Sequence, residues 1–418
     1  MISRRIGILH PQHIISILFL ISGAIGLVYE TLWAKYLSHL LGNTAHAHTF
    51  VLAFFLGGLA IGYILLGPLS DKTKNGFRLY AYLEAFIVLF AFAFPSIYDF
   101  CSAIFIDLVK DIPANSATYI VYEFALTAVL ILPPTICMGG TLPALIKAIR
   151  SSIEQAEKDI SWLYFINSAG AVIGTLIAGF YLLPEFGLKQ SMYVAGAVNG
   201  LVLILAFIGS FLPFDYTSRT QSNASATLRV ASPPLTKNRY TYLLFGVFFS
   251  GAVALLYEIV WIRLLSLTLG SSTYAFSIML AAFIGGIACG SFLINRQIFP
   301  RIDAFTLFAL SQLGIAFSIV LSLPYYEKIP YFFVKLNFIF VRSEDTFLIY
   351  SALQFLTCLV LMFLPTLCLG MTLPLATRAI SDSVENLGKQ VGHIFSANTA
   401  GNLIGAALTG IVLMPALG

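Results

Sequence analysis

The chain has 418 residues, of which 59% are hydrophobic and 10% charged, and its mean hydropathy is +0.90. A soluble globular chain carries roughly 25% charged residues. This composition therefore excludes a soluble domain and specifies a polytopic protein whose first partner is the lipid bilayer. A net charge of +4 is too small to imply a nucleic-acid partner, and none is expected.

A helix crosses the bilayer with about 20 apolar residues. Eleven runs reach that length, at 13–41, 45–69, 79–97, 117–148, 161–183, 190–213, 240–269, 272–294, 304–323, 347–377 and 391–414. The first, fourth, seventh and tenth are overlong and are expected to tilt, break or project beyond the membrane. Pro133, Pro134 and Pro143 in the fourth, and Pro365 and Pro374 in the tenth, predict a kink or short break in each. Residues 214–239, rich in Ser, Thr, Asn and Pro, read as a linker between a first repeat (1–213) and a second (240–418). The stretches 98–112 and 324–341 keep apolar residues with few charges and read as helices lying on the outer membrane surface.

Of the 23 Lys and Arg residues, 16 fall in alternate loops counted from the N-terminus and five in the opposite loops. The positive-inside rule then puts the N-terminus and the linker in the cytoplasm, and the expected location is a bacterial inner membrane.

The two repeats are legible in the residues. Ser22–Asn43 and Ser250–Ser271 share 11 of 22 positions at an offset of 228, including Tyr29-Glu30 with Trp33 and Tyr257-Glu258 with Trp261. Pro134-Thr135 through Thr141-Leu142-Pro143 returns as Pro365-Thr366 through Thr372-Leu373-Pro374. Asn167-Ser168-Ala169-Gly170 returns as Asn398-Thr399-Ala400-Gly401. Six spans separate the copies, so the repeat is parallel. After Gly187 the first copy continues into a sixth span. The second stops at the equivalent Gly418, as expected of a piece of a longer chain whose second half lacks its last helix.

Carboxylates at membrane depth are expensive and are site candidates for that reason. Glu30 and Glu258 head the set as ligand- or cation-binding candidates. Five residues of helix separate each from Lys35 or Arg263, a rotation of roughly 140°, so these pairs do not face each other. The two cations are expected to snorkel to the headgroups. Around a pseudo-twofold axis the two glutamates would face a shared space, which suits a diamine, a longer polyamine or a proton. The alternative is that each pairs with a nearby cation or with Tyr and Trp donors and fixes helix contacts. Tyr29, Trp33, Tyr257 and Trp261 either stack on a bound cation or pack and anchor. Asn167 and Asn398 either bridge helices or bind ligand.

Glu84, aligned with Gln312, and Glu123 are candidate proton sites. Gly58-x-x-x-Gly62, Gly170-x-x-x-Gly174, Gly286-x-x-x-Gly290 and Gly401-x-x-x-Gly405 read as close-packing faces. The five cysteines, and His39, His46 and His48, lack metal-ligand spacing, and no metal is expected.

Gly67-Pro68-Leu69-Ser70-Asp71-Lys72, with Arg78 after it, resembles the loop signature of the major facilitator superfamily, reduced in its closing basic pair. The doubled motifs together resemble the membrane domain of fused major-facilitator-like spermidine synthases, the polyamine aminopropyltransferase-like proteins, over about residues 14–418. That resemblance implies an all-α, major-facilitator-like bundle of two halves. It also implies a role in anchoring a soluble synthase domain or handling its cationic substrate or product. A free-standing secondary transporter of a small cation or metabolite, and the N-terminal part of a membrane-bound spermidine synthase, are the alternatives. No Gly-x-Gly occurs in the chain, so no synthase catalytic residue carries over to any position and no cofactor is expected.

Overall fold

The structure, a computed structural model, describes residues 11–42, 45–113, 116–149, 153–211, 237–270, 272–296, 298, 302–339, 344–380 and 387–417. The expected linker lies outside them apart from Lys237, Asn238 and Arg239, which open a helix. The described residues are helical almost throughout, as lipid requires of a backbone that must satisfy its own hydrogen bonds. The first half comprises α1 (Pro11–Leu41), α2 (Ala45–Lys72), α3 (Gly76–Val109), α4 (Ala117–Ile149), α5 (Ile153–Ile177), a π-helical turn (Ala178–Leu182) and α6 (Leu183–Gly209). The second comprises α7 (Lys237–Leu269), α8 (Thr273–Asn295), α9 (Ala304–Tyr326), α10 (Ile329–Ile339), α11 (Glu344–Ile380), α12 (Leu387–Ala407), a π-helical turn (Leu408–Leu413) and α13 (Met414–Leu417).

Equivalent sequence signals end and begin equivalent helices. Gly42 and Gly270, 228 residues apart, hold φ of 80° and 90° just beyond α1 and α7. That left-handed conformation closes a helix C-terminus and favours glycine. Asn75 caps α3 by accepting the Arg78 N–H at 3.1 Å, and Asp303 caps α9 by accepting the Thr306 N–H at 2.9 Å. Those bonds hold the Asp303 carboxyl below the usual aspartate range.

Packing follows the repeat. α1 lies on α5 as α7 lies on α12, α2 on α4 as α8 on α11, and α3 on α4 as α9 on α11. The halves meet through α2 on α12 and α5 on α8. In lipid such contacts come from close backbone approach rather than from expulsion of water. A Cβ on Gly58 would overlap the Thr135 hydroxyl, and one on Gly286 would overlap the equivalent Thr366 hydroxyl. The small-residue faces are thus packing faces, as expected. Leu89, Leu201, Phe317, Leu348 and Val360 are more than half exposed and form part of the outward apolar surface of an integral membrane protein.

Among the described residues, nine helical runs are long and apolar enough to cross a membrane. One of them, Lys158–Gly209, has 52 residues. Straight, it would measure about 78 Å at 1.5 Å per residue, far beyond a bilayer core of about 30 Å. Gly187, at φ 65° and ψ −174°, interrupts it where two separate spans are expected. The expected span 391–414 is helical as α12 and its π-helical continuation but is not among the nine. Its polar residues His393, Asn398 and Asn402 dilute it.

Two expectations need correction. α4 and α11 stay helical through their prolines, without the short break that was the alternative to a kink. Beside those prolines, Thr135 and Thr366 donate to the Ile131 and Met362 carbonyls at 2.8 and 2.7 Å, reinforcing the weakened turn. Residues 98–109 form no separate surface helix but continue α3 beyond Pro95. The Tyr98 hydroxyl donates to the Tyr36 carbonyl at 2.9 Å and the two rings pack edge to face, pinning the extension to α1. In the second half, α10 is a helix apart, with Ile329 and Phe333 buried and Tyr331, Phe332, Val334 and Phe338 exposed.

One end of the bundle is closed. Asp71, at the end of α2, accepts the N–H groups of Gly388 and Lys389 in the first turn of α12 at 3.1 and 2.8 Å. A carboxylate at a helix N-terminus is favoured by the free amides and the macrodipole. Above it, α2 and α12 touch at Gly67, Gly388 and Gly392, where any Cβ would meet the facing backbone. Across the other contact between halves, the Asn295 amide on α8 donates to the Lys158 carbonyl on α5 at 2.9 Å. Tyr63, Tyr164 and Phe395, from α2, α5 and α12, pack as an aromatic plug behind these latches.

Candidate functional site

Beyond the plug lie three neighbouring cavities that share lining residues. The first, about 210 Å³, is lined by Glu30, Thr31 and Ala34 of α1, by Glu258, Ile262, Arg263 and Ser266 of α7, and by Gly410 in the second π-helical turn, among others. The second, about 190 Å³, shares Glu30, Leu52, Glu258 and Leu280 with the first. It reaches the polar residues Ser250, Thr372, Asn398 and Asn402, and Tyr164 of the plug. Ser250 and Glu258 are eight helical residues apart, so this space extends along α7 for about 12 Å. The third, about 140 Å³, lies in the first half and contains Ser22, Tyr29, Glu84, Asn167 and Asn199. Leu27 and Tyr164 border both it and the second cavity.

Glu30 and Glu258 therefore face one space from equivalent helices. Among the described residues neither carboxylate has an ion pair or a hydrogen-bonded partner. Helix geometry accounts for the missing pairs with Lys35 and Arg263. Arg263 is nonetheless part of the first cavity, where snorkelling to headgroups was expected. Its partner in the repeat, Lys35, does not line that cavity.

The other candidate residues separate. Trp33 is buried, stacked on Tyr29 at 5.5 Å and packed on Phe94 at 5.9 Å. Trp261 packs edge to face on Tyr326 at 5.8 Å, and Tyr257 is half-buried beside it. Trp33, Tyr257 and Trp261 line none of the three cavities, and Tyr29 lines only the third. Their placement supports packing and gives no cage around the Glu30–Glu258 space. Asn398 lines the second cavity and Asn167 the third. Glu84 is buried and accepts the Ser22 hydroxyl at 3.1 Å. Glu123 is also buried, has interactions of its own, and lines none of the cavities. The side chains of His46 and His48 lie outside the described residues.

Sequence reasoning missed Ser22, Tyr164, Asn199, Ser250, Thr372 and Asn402 as cavity residues. Single polar residues within apolar runs carry no spacing signal. Asn402 had one, since it sits four residues after Asn398 on the same helix face.

Comparison with known proteins bears on fold more than on chemistry. A bacterial homologue of the iron transporter ferroportin, in its outward-facing state, superposes with a TM-score of 0.54 at 15% identity, covering 97% of this chain and 93% of that one. FucP, a Major Facilitator Superfamily transporter in its outward conformation, gives 0.53 at 15% identity, covering 96% and 90%. The nucleoside transporter NupG gives 0.52 at 13%, covering 96% and 90%. The fold is therefore major-facilitator-like.

In sequence, the polyamine aminopropyltransferase of Oceanobacillus iheyensis is 24% identical over 181 residues, 43% of this chain and 32% of that protein. Polyamine aminopropyltransferase 1 of Streptomyces coelicolor is 23% identical over 195 residues, 44% of this chain and 32% of that protein. The matches thus span about a third of the length of these curated relatives. No protein-family model matches the chain.

Proposed function

We propose that this chain is a secondary-transporter-type membrane unit that takes a small organic cation between Glu30 and Glu258. One observation carries the reading: two carboxylates on repeat-related helices line one cavity between the halves, without a partner among the described residues. Desolvated acidic groups at a midplane site are what a cationic ligand neutralises. Two carboxylates against the one guanidinium of Arg263 leave the cavity acidic. The Asn402 Oδ1 atom, buried and unpartnered at the edge of the second cavity, favours a ligand that brings N–H donors. An amine extending from the carboxylates toward Asn398 and Asn402 satisfies both ends. In the mechanism that follows, the halves rock about this site, with Asp71 and Asn295 latching the closed end. With the N-terminus cytoplasmic in a bacterial inner membrane, that closed end faces inward and the first cavity opens outward.

The similarity to two aminopropyltransferases favours a second reading, in which the same site handles a diamine or polyamine for a synthase domain that this unit anchors. Both readings meet one experiment, uptake of labelled putrescine and spermidine into proteoliposomes. The expected result is saturable uptake that Glu30→Gln and Glu258→Gln each suppress. Uptake that survives both substitutions would remove the carboxylate pair from the mechanism.

A further inference from the structure

We propose that Glu84 is a proton-binding site of the first half, taking up and releasing one proton at the cavity beside it. The site is built from four helices. α3 supplies Glu84 and, one turn earlier on the same face, Tyr80; α1 supplies Ser22 and Tyr29; α6 supplies Asn199; α4 supplies Cys137. Glu84, Tyr29, Tyr80 and Asn199 are each at most 2% exposed.

Only the Ser22 hydroxyl closes a well-formed bond to the carboxylate, at 3.1 Å. The Tyr80 hydroxyl and the Asn199 Nδ2 lie toward Glu84 without reaching good hydrogen-bond geometry, and neither these two atoms nor the Tyr29 hydroxyl has a hydrogen-bond partner among the described residues. Three buried polar groups left open around one acid are costly unless they serve a species that comes and goes. The adjoining cavity of about 140 Å³ has room for about four waters at roughly 30 Å³ each, enough to carry a proton.

The chemistry of the shell selects the ion. Ser22 donates to the carboxylate and Asn199 turns its N–H₂ toward it, and such donors complement an anion that exchanges with its protonated form. They oppose a metal cation, which requires acceptors. The titratable groups facing Glu84 are Tyr29, Tyr80 and Cys137, with Tyr63 of α2 and Tyr164 of α5 on the same cavity wall. Among the described residues no Lys, Arg or His lines that cavity. The repeat supplies an internal control, since Gln312 and Phe308 stand where the first half has Glu84 and Tyr80. The second half therefore has neither the acid nor the phenol. Leu27 and Tyr164 separate this proton from the Glu30–Glu258 space. Its coupling to transport rests on the function proposed above, whereas the protonation itself does not.

Infrared difference spectra of the full chain in lipid nanodiscs, recorded as pH is stepped with no amine present, test the site. The expected result is a protonated-carboxyl band that titrates in the wild type and in the Glu30→Gln/Glu258→Gln double variant, and that is lost in Glu84→Gln. That variant is expected to fold because glutamine already fills the equivalent place in the second half. Tyr80→Phe, which copies Phe308, keeps the acid and should move the midpoint of the band; a merely structural tyrosine would leave it in place. A spectrum unaltered by Glu84→Gln, or a Glu84 band that never titrates, overturns the proposal. So does a Glu84-dependent response to NaCl at constant pH in place of the pH response, which would make this a metal-cation site. Because no transported cation is present, these outcomes are independent of the uptake result for Glu30 and Glu258.

Discussion

Glu84 and Gln312 occupy the same place in the two halves and sit in opposite electrostatic surroundings. Around Gln312 the polar groups close on one another. Its Nε2 donates to the Thr372 and Ser311 hydroxyls, each at 3.2 Å, and Ser250 lies 3.5 Å from Thr372. Around Glu84 they stay open: Thr141, the counterpart of Thr372, donates instead to the Met138 carbonyl at 2.7 Å, and the Tyr80 hydroxyl and Asn199 Nδ2 have no partner among the described residues. A closed neutral network fixes one packing arrangement, whereas an open shell around an acid is a place for exchange. By contrast, Glu30 and Glu258 are kept as glutamate in both halves. The repeat therefore preserves the shared cavity and differentiates the flank.

The largest effect that tests this contrast is expected at the preserved pair. Losing one carboxylate of a desolvated cation site costs about 2 kcal/mol or more, roughly thirtyfold in affinity. Glu30→Gln and Glu258→Gln should each weaken amine binding by at least that factor in a direct binding assay, and by comparable amounts. A large effect at one alone would show that the pair is not equivalent.

Next comes Gln312→Glu, which puts an acid into the closed network. A buried charge without an open shell should lower stability by about 1–3 kcal/mol, read as a lower melting temperature in detergent, while Glu84→Gln should be near neutral. If Gln312→Glu is tolerated as well as Glu84→Gln, the two environments are not distinct.

The two latches give a smaller contrast. Asp71 makes charge-assisted bonds to two amides and Asn295 makes one neutral bond. Asp71→Asn should shift the balance between conformations by about 1–2 kcal/mol, and Asn295→Ala by nearer 1 kcal/mol. Labelling of cysteines placed at the closed end measures both.

The smallest effect is at the caps. Asn75→Ala and Asp303→Ala should each cost about 1 kcal/mol of helix stability. The Asp303 carboxyl is held below its ordinary range by the Thr306 bonds. Its contribution is therefore present above the unfolded aspartate range and is lost as pH falls through the folded value. The Asn75 contribution should not change with pH. Melting curves across acidic pH separate the two.

Much of this molecule was legible in the residues. The spans, the parallel repeat, the Gly–Gly approaches and the shared position of Glu30 and Glu258 all follow from apolar run length and a repeat offset of 228 residues in the early helices and 231 in the later ones. Periodicity is a property of the chain, so sequence alone determines which helices correspond and which faces are small. It also shows that five-residue spacing separates Glu30 from Lys35. Sequence could not reveal that α3 continues past Pro95, because Tyr98 gains its hold from α1, 62 residues away. Nor could it show that Arg263 enters the cavity, that Trp33 and Trp261 pack away from it, or that Asn199 of α6 meets Glu84 of α3. Those facts depend on which helix faces come together. Lipid leaves that choice to close packing and polar contacts between segments far apart in the chain, and no local pattern records it.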